Sequence, residues 1–252
     1  MNPIIGIIGG AGPFAGLDLQ HKILTQTQAT TDQEHLTIIN WSEPAAIMDR
    51  TAYLLGETAT NPGYAIAAQA LQLERMGATV AAIPCNTAHA PPIFDVILAE
   101  LEAAGSQLQF LHMIWETVYF VKERWPNLRQ VGLLATTGTV RSCVYQAVFD
   151  KVGMQVIVPP DNMQEVVHTA VYHPHYGIKA TGKPAPQAID HLHKGATQLR
   201  QLGAEAIILG CTEMPLAITD SHLVELPVID PTLVLARALI KAVAPHKLRP
   251  LP

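Results

Sequence analysis

Gly77-Ala-Thr-Val-Ala-Ala-Ile-Pro-Cys85 and Gly203-Ala-Glu-Ala-Ile-Ile-Leu-Gly-Cys211 stand 126 residues apart in a chain of 252. Each opens on Gly-Ala, runs through small and aliphatic residues, and closes on a cysteine. The same offset, without a gap, carries Gly6-Ile-Ile-Gly-Gly-Ala-Gly12 onto Gly132-Leu-Leu-Ala-Thr-Thr-Gly138. One shift that fits two distant segments implies a duplicated fold with one thiol in each half. Such a duplication can set two acid/base groups against opposite faces of one carbon.

Outward from these segments, short apolar runs alternate with longer amphipathic ones. That is the pattern of βαβ units and a mostly parallel sheet. The strands expected are Ile4–Ile8, Leu36–Asn40, Val80–Ile83, Phe110–Met113, Gln130–Ala135, Met154–Val158, Ala206–Leu209 and Val228–Ile229. Helical patterns cover Gly63–Met76, Glu116–Trp125, Arg141–Lys151 and Pro186–Leu202. The fold class is α/β, with two pseudo-symmetric lobes of flavodoxin-like or Rossmann-like character. Residues 1–114 with 223–252 are expected to form the first lobe and 115–222 the second. Right-handed crossovers put ligands off the carboxyl ends of the strands. Cys85, Cys211, the Gly9–Gly12 turn and the Ala135–Gly138 turn all fall at such ends.

Composition narrows the function classes. Hydrophobic residues make up 49% and charged residues 15% of the chain, enough for a large core. A net charge of −5 without a basic run argues against nucleic-acid binding. No run approaches the ~18 apolar residues of a membrane span. The start, Met1–Gly10, has no basic segment and reads as a strand entering a turn. Three widely spaced cysteines make no disulfide framework. The expectation is a soluble cytoplasmic protein.

A free thiol with a pKa of about 8.5 is roughly 3% thiolate at pH 7, so a catalytic cysteine needs help. A helix start after a strand offers backbone N–H groups to the anion. Asn86-Thr87 and Thr212-Glu213 follow the two cysteines with further polar groups. Two thiols flanking a carbon stand on the order of 7 Å apart, each ~3–3.5 Å from it. A disulfide needs closer Cα atoms and an oxidising compartment. Cys143 has no counterpart in the first half and reads as core. His89, four residues after Cys85, suits a hydrogen bond near the thiol better than a metal, because neither cysteine has a second one at zinc-ligand spacing.

The turn Gly9-Gly-Ala-Gly-Pro13 completes neither the dinucleotide fingerprint nor a P-loop. It fits two readings: glycines that permit a tight strand-to-helix turn, or backbone N–H groups that receive a small carboxylate.

Several stretches together resemble the aspartate/glutamate racemase superfamily. They are Gly9–Pro13, Asp32-Gln-Glu-His35, Asp49-Arg-Thr-Ala-Tyr53, Pro84-Cys-Asn-Thr-Ala-His89, Leu134–Thr139 and Gly210-Cys-Thr-Glu213. The chain is most similar to the aspartate racemase branch, over nearly its whole length. The resemblance implies an active site between the lobes, no pyridoxal phosphate, no metal, and a homodimer. It assigns Cys85 and Cys211 as the two acid/base catalysts. Asn86 and Thr87 become donors to the substrate α-carboxylate, with Thr212 and Glu213 doing the corresponding work on the other side. Thr137, on the second of the matched turns, joins the substrate contacts.

Arg50 corresponds to the arginine expected to bind the side-chain carboxylate; its alternative is a surface arginine paired with Asp49. Lys179, in Tyr176-Gly-Ile-Lys-Ala-Thr-Gly182, matches a lysine on a closing loop; its alternative is a solvated lysine. Two features depart from the branch: Ala11 stands where many relatives carry Met, and Tyr172-His-Pro-His-Tyr176 is unusual. The expected activity is cofactor-independent racemisation of L-aspartate. Glutamate or another small carboxylate is the alternative substrate. A non-catalytic dicarboxylate-binding protein and a nucleotide-dependent oxidoreductase are the rivals from other classes.

Overall fold

The computed structural model describes residues 3–251; Met1, Asn2 and Pro252 lie outside them, and with them the ends of the readings made for Met1–Gly10 and for 223–252. The chain divides into two units, Met1–Glu116 with Thr232–Pro252, and Thr117–Pro231.

The first unit holds four parallel strands in the order β2-β1-β3-β4: β1 (Ile4–Ile8), β2 (Thr37–Trp41), β3 (Ala78–Ala82) and β4 (Gln109–Phe110). β1 is Ile-Ile-Gly-Ile-Ile, apolar on both faces, as a strand covered on both sides must be. Ile5 and Ile7 pack with Leu19 and Ile23 of α1 (Pro13–Gln26) and with Leu235 and Leu239 near the end of the chain. Ile8 joins the opposite core, with Ile66, Ala70 and Leu73 of α3 (Pro62–Arg75) and Ile93 and Ile97 of α4 (Pro91–Ala103). Each such side chain, fully buried, contributes about 1.5–3 kcal/mol. A short helix, α2 (Arg50–Leu54), lies against the turn Asn86–His89 that follows Cys85.

α5 (Met113–Arg124) spans the boundary between the units. The second unit repeats the plan with β5 (Gln130–Leu134), β6 (Gln155–Ile157), β7 (Ala206–Leu209), β8 (His222–Leu223) and β9 (Leu226–Ile229), in the order β6-β5-β7-β9-β8. All pairs are parallel except β8 with β9. One face is covered by α8 (Asp161–Tyr172) and α10 (Pro186–Gln201), through Val167, Ala170, Leu192, Ala196 and Leu199.

Atomic detail supports the duplication. β1 and β5 coincide under the 126-residue shift. A Cβ on Gly6 would come within 3.1–3.2 Å of Leu73, Ala78 and Ala81. One on Gly132 would come within 2.9–3.0 Å of Leu199, Ala204 and Ile207, the same three positions 126 residues on. Gly77 and Gly203, which turn each helix into the cysteine strand, have φ of +100° and +98°, a region L side chains rarely adopt.

Four local expectations change. Leu226–Ile229 pairs with Ile207 and Ile208, so the chain rejoins the first unit at Thr232 and not near 223. The ladder partner, which short sequence runs do not reveal, decides this. The helix expected over Arg141–Lys151 is split into α6 (Thr137–Arg141) and α7 (Val144–Phe149), because Cys143 adopts a left-handed φ of 51° between them. Cys143 is exposed, not core. The strand expected at Phe110–Met113 stops at Phe110, and Met113 already begins α5. The remaining helices are α9 (Ile178–Thr181) and α11 (Pro231–Val243).

Candidate active site

In the first unit Cys85 ends the loop after β3 and caps the 3₁₀ turn Asn86–His89 with an extended φ of −154°. Its side chain is 9% exposed, and Asn86 and Thr87 beside it are buried. The turn is built by its own backbone: Ala88 N–H donates to the Cys85 carbonyl at 3.2 Å, and Ala90 N–H to Thr87. His89 reaches back to the same Cys85 carbonyl through Nδ1 at 2.9 Å, so Nδ1 carries the proton. Its ring lies against Phe94 and His112. Burial, reinforced by neighbouring His112, holds the His89 pKa down to about 3, so the ring is neutral at physiological pH. His89 therefore braces the cysteine turn, as its spacing led us to expect.

Arg50, at the start of α2, is 7% exposed and buried among backbone carbonyls. Nη2 donates to the Ala11 carbonyl at 2.5 Å and Nη1 to Met48 at 3.3 Å. The Asp49 carboxylate is used elsewhere, accepting from Ala52 N–H at 2.8 Å as the cap of α2. The surface-pair reading of Arg50 is thereby replaced: it locks α2 onto the glycine turn. In that turn close approaches account for the glycines. A Cβ on Gly10 would stand 2.8–2.9 Å from the Glu43 backbone, and one on Gly16 2.7 Å from the Gly9 Cα.

In the second unit Cys211 follows β7, 8% exposed. Its S–H donates to Glu213 Oε2 at 3.0 Å, and the Thr212 hydroxyl donates to the same oxygen at 3.3 Å. Oε1 of Glu213 faces the Lys179 ammonium at 3.6 Å. Burial first, and the Glu213 carboxylate second, push the Cys211 thiol well above its usual range, while Lys179 acts weakly the other way. The helix start after β7 was expected to ease ionisation; desolvation beside a carboxylate outweighs it. Glu213 is engaged as an acceptor by the thiol and the hydroxyl and faces the Lys179 ammonium.

Lys179 sits on α9, between Gly177 and Gly182, about a quarter exposed. Its ammonium stands 4.8 Å above the Tyr172 ring. Tyr172 in turn stacks on His168, whose Nδ1 accepts from the Thr137 backbone N–H at 3.3 Å. The second unit thus links Thr137, Lys179, Thr212, Glu213 and Cys211 into one connected set. The first unit brings together Cys85, Asn86 and Thr87 on one turn, with the Arg50 helix against it.

Sequence reasoning passed over His168, Tyr172 and Tyr145. Tyr145 is fully buried, with its pKa raised by burial, then by Asp230 and Cys211. The helical spacing of His168 and Tyr172, four apart on α8, was the available signal, but it names no partner. Among the described residues no group of three or more His, Cys, Asp or Glu side chains can hold a metal ion, and no helix is long and apolar enough to cross a membrane.

The Asp/Glu/Hydantoin racemase family matches residues 8–239. The broad specificity amino-acid racemase RacX of Bacillus subtilis is 28% identical over 244 residues, covering 94% of this chain and 96% of that protein. The structure of an aspartate racemase from Picrophilus torridus is similar with a TM-score of 0.80 at 29% identity, covering 96% of this chain and 94% of the other. A glutamate racemase from Francisella tularensis, solved with D-glutamate, shares the fold at 21% identity, with a TM-score of 0.64 and coverage of 100% and 84%. With the matched residues running through both cysteine turns, the chain belongs to the Asp/Glu/Hydantoin racemase family.

Proposed function

We propose that this racemase inverts an acidic amino acid, aspartate foremost, with the thiols of Cys85 and Cys211 as its only proton carriers. In either direction one cysteine, as thiolate, takes the Cα proton, and the C–H electron pair moves into the α-carboxylate as an enediolate. The other cysteine, as thiol, delivers its proton to the opposite face, and the electron pair returns to Cα. One proton leaves the substrate and one enters, and the two cysteines exchange protonation states. The Cα proton is a very weak acid, so donors that grip the carboxylate more tightly as charge develops carry much of the rate. Asn86, Thr87, Thr137 and Thr212 are assigned that role. Arg50 and Lys179 are assigned the side-chain carboxylate, which favours a short dicarboxylic amino acid. Glu213 holds the Cys211 proton until a turnover needs it.

What carries this reading is the pair of buried thiols at equivalent strand ends, one of them hydrogen-bonded to a carboxylate that faces a lysine. The relative from Picrophilus torridus is named an aspartate racemase, and the one from Bacillus subtilis a broad-specificity enzyme. Other amino acids therefore belong in the assay. The reading calls for no pyridoxal phosphate or metal and takes the enzyme as a cytoplasmic homodimer, which light scattering on the purified protein tests. The decisive experiment is incubation of chelator-treated protein with L-aspartate in D₂O, without pyridoxal phosphate, followed by NMR and chiral chromatography. Deuterated D-aspartate is the expected product. Exchange and inversion with L-glutamate alone would move the substrate; binding of dicarboxylates without exchange of any substrate would replace the enzyme with a binding protein.

A further inference from the structure

The 126-residue shift pairs Ala11, on the turn after β1, with Thr137, the first residue of α6 after β5. In both units a side chain from a helix that follows the edge strand grips that position. In the first, Arg50 of α2 donates to the Ala11 carbonyl. In the second, His168 of α8 accepts from the Thr137 N–H, and Gln164, one turn earlier, donates to the Ala135 carbonyl at 2.9 Å. His168 also stacks on Tyr172, one turn along its own helix, at 4.8 Å and 13°, and the Tyr172 ring carries the Lys179 ammonium of α9.

We propose that His168, as the neutral imidazole, is a positioning residue of the second unit that holds the Thr137 N–H and the Tyr172–Lys179 pair in register, and that its protonation releases both. This rests on the substrate contacts assigned above to Thr137 and Lys179. A protonated Nδ1 has no lone pair for the Thr137 N–H. An imidazolium on Tyr172 also competes with the ammonium for the same ring and repels it. The groups that act on His168 are Glu165 on its own helix, which favours the cation, and Lys179 from α9, which opposes it. From α10, which also packs on α8, His191 bonds Thr169 instead. Burial and Lys179 outweigh Glu165 and lower the His168 pKa, so the imidazole is neutral at pH 7 and above.

Two variants and one titration test this in the full-length protein. His168→Phe keeps a ring on Tyr172 but removes the acceptor. It is expected to raise KM for L-aspartate roughly two- to tenfold, the worth of one neutral hydrogen bond, with kcat little changed. His168→Gln keeps an acceptor that does not titrate, and is expected to abolish the acid-side rise of KM expected of the wild type as pH falls below the ordinary histidine range. In NMR titrations, Lys179→Met is expected to raise the His168 midpoint.

An unchanged midpoint in Lys179→Met, an unchanged KM in His168→Phe, or the same acid-side rise in His168→Gln would each overturn the proposal while leaving racemisation intact. A wild type that neither racemises nor binds L-aspartate would overturn the functional reading with it.

Discussion

The two cysteine turns share a backbone plan and differ in electrostatics. Both thiols end a buried strand after a positive-φ glycine, and both are under 10% exposed. Directly beyond each cysteine the sequence diverges: Asn86-Thr87 in the first unit, Thr212-Glu213 in the second. The first turn is braced from behind by a neutral histidine on the cysteine carbonyl; the second is gripped at the sulfur by a carboxylate. Duplication supplies the symmetry that the proposed two-sided proton transfer needs, and substitutions around it set a carboxylate on one of the two thiols. Cys211 rests as a thiol, the form that donates.

The comparison breaks most completely if the cysteines are not a pair. Cys85→Ala and Cys211→Ala are each expected to lower kcat by at least ~10²–10⁴-fold, the usual worth of an acid/base group, measured by chiral chromatography. Substantial inversion in either single variant would end the two-base reading. Arg50→Lys comes next. Loss of a forked donor on a carboxylate should raise KM for L-aspartate roughly 10- to 100-fold, read by initial rates alongside a melting curve that confirms folding.

Glu213→Gln sharpens the difference between the turns. Without the carboxylate the Cys211 thiol ionises more easily, so alkylation by iodoacetamide at pH 8 should quicken roughly tenfold for each unit by which the pKa falls. Mass spectrometry locates the label, and an unchanged rate would dismiss Glu213 as the cause.

His89 gives the first turn an acid signature. Its pKa is about 3 in the fold against 6.5 for an unperturbed histidine, so the unfolded chain takes up the proton first as pH falls. The stability that neutral His89 secures is fully present above pH 6.5 and is lost as pH drops toward about 3, roughly 5 kcal/mol at the acid limit. Urea titrations of wild type and His89→Phe should show a flatter pH profile in the variant. The smallest effect probes the duplication itself. Gly132→Ala meets the Ala204 Cβ at 2.9 Å, whereas Gly6→Ala first meets the end of Leu73 at 3.1 Å. Both should destabilise by about 1–3 kcal/mol, Gly132→Ala by more; an equal cost would mean that the neighbours relax alike.

Much of this was legible in the chain because strands buried on both faces announce themselves as apolar runs and because the repeat supplied their register. β1 and β7 lie where the runs placed them. β8, two residues long, and the β9 pairing were not legible: an edge strand is defined by the ladder it joins. Cys143 escaped for a related reason, since a non-glycine residue in the left-handed region leaves no mark on local periodicity. Among the site residues, the cysteines and their polar neighbours stood out by matched position. Arg50 was legible as a residue, but its hold on the Ala11 carbonyl was not, nor was the stack of His168 on Tyr172.

Two α/β units of one design, each ending a strand on a thiol, can be read from the linear chain, because hydrophobic period and repeat spacing are local properties. What each thiol touches became visible only in the folded chain. The contacts of Glu213 with Lys179 and of His168 with Thr137 join residues from separate elements, and the hydrogen bond of Cys211 to Glu213 depends on how the loop between them folds. Burial and charge at those meeting points, which no linear pattern records, set the protonation of the groups that the chemistry uses.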